Sequence, residues 1–72
     1  MKSKVYLKMI TMAICETNMN RGNLRKVIWN YLLKEFSNSV DYRDFLLAIK
    51  DLLADGRLIN KNGYYFVQDE IV

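Results

Sequence analysis

Between Asp41 and Val67 the hydrophobic pattern changes from a helical repeat to two short apolar runs split by a turn. Phe45, Ile49, Leu52 and Leu53 recur at helical spacing, flanked by Tyr42 and Leu46, and predict a helix over about 42–55. Asp41 is its expected cap, with Asp44 near the positive end of the helix dipole. Asp55-Gly56 supplies the stop, because glycine tolerates the left-handed conformation that follows a last turn. Asn62-Gly63 then predicts a two-residue hairpin loop joining strands at about 57–61 and 64–67. That loop length pairs Lys61 with Tyr64, Asn60 with Tyr65, Ile59 with Phe66 and Leu58 with Val67. Leu58, Tyr65 and Val67 share one face and Ile59 and Phe66 the other, and the pattern leaves open which face meets the helices.

Two further helices precede this unit. In the first, about 4–17, Tyr6, Ile10, Ala13 and Ile14 make one stripe with Met9 beside it, while Lys8 and Glu16 face outward. A loop rich in Asn and Gly follows, with Asn23 as the expected cap of the second helix, about 24–36. There Leu24, Val27, Ile28, Tyr31 and Leu32 have the spacing of a buried face, and Trp29, Leu33 and Phe36 form a second stripe. The tail from Gln68 is expected to fray. A third helix feeding directly into a hairpin implies an α+β, mostly α fold. The reading is one domain over 1–72, a three-helix winged helix-turn-helix with a C-terminal β-hairpin wing.

With 72 residues, half of them hydrophobic and none proline, the chain has the composition of a small folded unit. Its apolar stretches are too short to span a membrane. The lone Cys15 excludes an internal disulfide, fits a reducing compartment and is expected in the core beside Ile14. The net charge of +3 is unevenly spread. Residues 1–34 hold seven bases against Glu16 alone, whereas residues 35–72 hold four bases against seven acids. A basic half suits nucleic acid or another acidic surface.

Enzyme chemistry has little to work with. Histidine, the commonest acid–base catalyst near neutral pH and the commonest zinc ligand, is absent. One cysteine makes neither a Cys-His pair nor a metal site. The three glycines stand singly at turns, so no phosphate-cradling loop is present. Asp51 and Asp55 lie one helical turn apart and are expected in solvent. No catalytic residue, cofactor, metal or small-molecule substrate is expected.

A binding role rests instead on the bases. In a helix-turn-helix the last helix meets DNA with its outward side chains, here Arg43 and Lys50 on one flank, Asp44, Asp51 and Asp55 on the other, and Leu47 and Ala54 between them. Two bases and four acids over 41–55 are poor for insertion into a polyanion. Arg21, Arg25 and Lys26 near the second helix, Lys2, Lys4 and Lys8 at the amino end, and Arg57 and Lys61 in the wing offset this if they converge.

These positions resemble the globular domain of linker histones over about Val5 to Val67. The resemblance is carried by Tyr6, Met9-Ile10, Ala13-Ile14, Arg21-Gly22, Arg25, Ile28, Tyr31, Phe36, Ala48-Ile49, Leu52-Leu53-Ala54, Gly56 and Leu58. It implies a winged helix that binds nucleosomal DNA through basic surfaces on two sides, in a nucleus. Lys50 matches a basic site on the recognition helix, and Arg21 and Arg25 match bases near the second helix. Leu46, Asp51 and Asn30 stand where that family usually carries bases.

The leading expectation is a nonenzymatic DNA- or chromatin-binding module. Its partner is double-stranded DNA or a nucleosome, held mainly by the phosphate contacts of Arg21, Arg25, Lys26, Arg43, Lys50, Arg57 and Lys61. The alternative is a protein-interaction or dimerisation winged helix within a larger complex, using Trp29, Leu33, Leu47, Ile59 and Phe66 as an apolar interface. Localisation is nuclear if the resemblance holds and cytoplasmic otherwise.

Overall fold

Where the third helix begins, the Asp41 side chain accepts hydrogen bonds from the backbone N–H groups of Arg43 (2.9 Å) and Asp44 (3.2 Å), capping the helix as expected. The computed structural model describes residues 2–18 and 22–68. In chain order they form α1 (Lys2–Asn18), β1 (Asn23–Leu24), α2 (Arg25–Phe36), α3 (Tyr42–Asp55), β2 (Leu58–Lys61) and β3 (Tyr64–Val67). The result is a mostly helical α+β fold in a winged-helix arrangement. Its sheet has three antiparallel strands in the order β1-β3-β2.

α3 stops through local chemistry. Gly56 is left-handed (φ 81°), its N–H donates to Leu53 O, and Arg57 N–H donates to Leu52 O at 3.0 Å. Those paired bonds satisfy the carbonyls that a helix end leaves open. Asn62 and Gly63 both take positive φ, 54° and 86°, the conformation that matches a tight hairpin to the strand twist. The β2–β3 register is the one that loop dictates, from Lys61 opposite Tyr64 to Leu58 opposite Val67. Gln68 N–H reaches Arg57 O at 2.9 Å, so the expected fraying does not begin at Gln68; residues 69–72 lie outside the described residues.

The core forms where α1, α3 and the inner face of the sheet meet. Tyr6, Met9, Ile10, Ala13 and Ile14 of α1 pack with Phe45, Ala48, Ile49 and Leu52 of α3. α2 contributes Ile28 and Leu32, and the sheet contributes Leu58 and Tyr65. The sheet face left open by the pattern is thereby decided: Leu58 and Tyr65 point inward, and Ile59 and Phe66 lie on the outer face, half-buried. The Tyr6 hydroxyl joins α1 to the start of α3, donating to Asp41 O (3.2 Å) and accepting from Asp41 N–H (2.9 Å).

Four expectations are corrected. Cys15 is exposed, because a residue beside Ile14 is rotated by about 100° on the helix and ends up opposite Tyr6. Leu24 is 40% exposed and sits in a strand, so the buried face of α2 narrows to Ile28 and Leu32, with Val27 and Tyr31 half-buried. Asn23 does not cap α2. Its Oδ1 accepts from Leu24 N–H, its Nδ2 donates to Thr17 Oγ1, and Leu24 takes the cap position with no side-chain bond. Finally, the sheet has a strand that the pattern did not show: β1 pairs Asn23 with Tyr65 and Leu24 with Tyr64.

Gly22 makes that pairing possible. It is left-handed (φ 84°), and a Cβ there would lie 2.7 Å from the Phe66 ring and 2.8 Å from Tyr65 O. Only a residue without a side chain lets the chain cross β3 this closely.

Candidate nucleic-acid interface

β1 runs into α2 without a break, so the strand and the first helical turn form one corner. The first turn carries Arg25 and Lys26 and no acid. Across from it, α3 opens with Tyr42, 46% exposed. Leu24, Arg25, Lys26, Trp29 and Tyr42 line a groove of about 500 Å³ between the two helix starts. Its walls are held by an aromatic cluster, in which Trp29 lies 4.9 Å from Phe45 and meets Tyr42 edge-on at 5.0 Å. Such geometry suits the ring quadrupoles.

β1 also brings the wing to this corner. Residues directly opposite one another in antiparallel strands share a face. Leu24, Tyr64 and Lys61 therefore form one row across the sheet, roughly 10 Å from end to end at the usual strand spacing. Tyr64 is 42% exposed and Lys61 is exposed. Lys61 at the wing tip and the Arg25–Lys26 pair thus lie along one continuous surface.

The charges of α3 are sorted by face. With Phe45, Ala48 and Leu52 buried, the outward line is Arg43, Leu47, Lys50 and Ala54, all exposed. Asp44, Asp51 and Asp55 lie on one flank, rotated by about 100° per residue from their neighbours. That flank faces α1, since Ser3 Oγ donates to Asp51 Oδ2 at 3.0 Å. Tyr42 lies on the opposite flank, against Trp29 of α2. The excess of acid over 41–55 is therefore partly the Asp41 cap and otherwise an α1-side edge.

Arg57 forms an ion pair with Asp55 at 3.9 Å. Both partners are well exposed, and such pairs contribute little. The pairing draws Arg57 toward the acidic edge. Arg25, Lys26, Arg43, Lys50 and Lys61 are exposed, whereas Arg21 lies outside the described residues.

The apolar candidates are spread over several elements. Trp29 is half-buried in the groove wall and Leu33 is exposed one turn further along α2. Leu47 is exposed (56%) on the outward line of α3. Ile59 and Phe66 pair on the outer sheet face, Phe66 over Gly22. Leu24, Tyr42 and Tyr64 join the site although pattern reasoning assigned them to buried or flanking positions or passed them over. The β1–β3 pairing, which two residues do not announce, recruits Leu24 and Tyr64, and packing against Trp29 recruits Tyr42.

Among the described residues no group of three His, Cys, Asp or Glu side chains is placed to hold a metal ion. No helix among them is long and apolar enough to cross a membrane. No family model, curated protein or solved structure matches this chain.

Proposed function

We propose that this chain is a nonenzymatic DNA-binding winged helix that grips the phosphate backbone of a duplex, free or nucleosomal, with little reading of bases. The observation that carries this is a set of exposed bases on the wing, at the start of α2 and on the outward line of α3. Lys61 at the wing tip, Arg25 and Lys26 at the start of α2, and Arg43 and Lys50 on α3 are all exposed, with no ion pair among the described residues. The resemblance to linker-histone domains supports the same reading. Lysine and arginine heads on a duplex release condensed counterions, so affinity should fall steeply with salt. The apolar Leu47 and Ala54 interrupt the outward line of α3, which leaves few side chains there to read base edges.

The test is a titration of a short mixed-sequence duplex, followed by backbone amide shifts at low and moderate salt. Salt-sensitive shifts at Arg25, Lys26, Lys50 and Lys61 support the reading. Combined Arg25→Glu and Lys50→Glu should make the slope of log affinity against log salt shallower by about 2, roughly 0.9 for each phosphate no longer neutralised. Unchanged binding by the folded double variant rejects this surface.

A second reading draws on a different observation. Val5 and Met12 on α1, Leu33 on α2 and Leu47 on α3 are all exposed, and large apolar residues in solvent can mark a partner site. If sedimentation shows a dimer and Leu33→Asp or Leu47→Asp dissociates it while DNA binding is absent, this protein-interaction reading replaces the first.

A further inference from the structure

The groove between α2 and α3 differs from the rest of the basic surface because its cations stand beside aromatic walls. Arg25 and Lys26 supply two charges, and Leu24, Trp29 and Tyr42 supply the apolar lining. Among the described residues none that lines it is acidic. Phe45 and Tyr42 pack against the indole of Trp29, so contacts within the fold build this wall. The volume, about 500 Å³, is that of a small-molecule site. It is too small to admit a duplex and large enough for one nucleotide.

Resting on the DNA-binding reading above, we infer that this groove holds one unpaired nucleotide, at a DNA end or a distorted step. Its base lies against Tyr42 and Trp29 and its flanking phosphates lie on Arg25 and Lys26. Aromatic side chains stack on any base, because every base has a π face, and neighbouring cations hold the backbone. An acidic peptide with an aromatic anchor has the same local charge match. The cations, however, continue beyond the groove, to Lys61 along the Leu24–Tyr64 row and to Arg43 after Tyr42. A track of that kind suits a repeating polyanion.

Trp29 is the only tryptophan of the chain, so its fluorescence reports on the groove directly. The intact chain is titrated with a blunt duplex, with the same duplex carrying a short single-stranded thymidine overhang, and with an acidic peptide containing phenylalanine. The overhang duplex is expected to bind about tenfold more tightly, near the low end of what one stacked base contributes, and to quench Trp29. The blunt duplex should bind without that quench, and Tyr42→Ala should erase the preference for the overhang. The quench needs no variant, so a Tyr42→Ala chain that fails to fold leaves the test standing. Equal binding of both duplexes without quenching overturns the nucleotide inference and leaves the duplex-binding reading intact. Absence of binding to either duplex overturns both. Quenching by the peptide alone makes the groove a protein-docking site and overturns the inference.

Discussion

Replacing Gly22 by alanine should damage this protein far more than the same change at Gly56, although the two glycines have nearly the same φ, 84° and 81°. A left-handed conformation costs an ordinary L-residue about 1–2 kcal/mol. Part of that is offset by the smaller conformational freedom of alanine in the unfolded chain, about 0.4–1 kcal/mol. At Gly56 nothing lies within 4 Å of the added Cβ, so the net cost there is about 1 kcal/mol. At Gly22 the same Cβ falls 2.7 Å from the Phe66 ring and 2.8 Å from Tyr65 O. The ring can turn, but the carbonyl belongs to β3 and cannot move without breaking the β1 pairing. An overpacking cost of about 1–3 kcal/mol then brings Gly22→Ala to roughly 2–4 kcal/mol, a large share of the 5–15 kcal/mol typical of a domain. Urea unfolding followed by Trp29 fluorescence measures both variants on one scale. Amide exchange over Asn23, Tyr64 and Tyr65 shows whether β1 has detached. Equal losses for the two variants would refute the reasoning, since the difference between them is the close approach alone.

Other consequences follow from single contacts. Tyr6→Phe removes the hydroxyl that both donates to and accepts from the Asp41 backbone; a loss of about 1–3 kcal/mol in urea unfolding is expected, because a part-buried N–H is left unpaired. Cys15 is exposed, so the native protein should react with a thiol reagent as fast as the urea-unfolded chain does; strong protection in the native state would contradict its placement. The Tyr31 hydroxyl is pushed above its ordinary 10.0 by desolvation, then by the charges of Glu35, Glu16 and Cys15. A raised folded-state value favours the neutral phenol, so its contribution is complete below about pH 10 and is lost as pH rises through the folded value. Tyr31→Phe should therefore flatten the alkaline decline in stability, and an unaltered decline would rule that origin out.

What could be read from the chain beforehand was whatever acts within a few residues. Asp41, Gly56 and Asn62-Gly63 set a cap, a stop and a turn through their own backbone and side-chain chemistry, and a two-residue loop leaves the hairpin one register. The stripe of α1 was visible because five residues share it. β1 was hidden because it is a strand only by virtue of its partner, and Leu24 happens to match the helical period of the residues after it. Asn23 looked like a cap because its type favours caps, yet Thr17 and its own neighbour's N–H claim its side chain. The groove was hidden for the same reason as β1. Tyr42 and Trp29 belong to different helices, and their edge-on contact follows from helix packing that no local spacing reports.

The sorting of charge on α3 leads to a sharper test of how the helix meets DNA. Lys50 and Asp51 are adjacent, both exposed and opposite in charge. If the whole outer half of α3 faced a phosphate backbone, neutralising either would change affinity by a similar amount in opposite directions. The structure places Lys50 on the outward line with Arg43 and Leu47, and Asp51 on the α1 flank, where Ser3 Oγ donates to it. Lys50→Gln should therefore lower the salt slope of duplex binding by about 1, the signature of one phosphate left without its cation. Asp51→Asn should leave that slope within a few tenths and raise affinity only slightly, because a carboxylate on the α1 flank neutralises no phosphate in this docking. Titration of both variants against one duplex over a salt series decides the matter. Symmetric and opposite effects would mean that the acidic flank faces the phosphates, and α3 would then have to dock rotated away from the Arg43–Lys50 line.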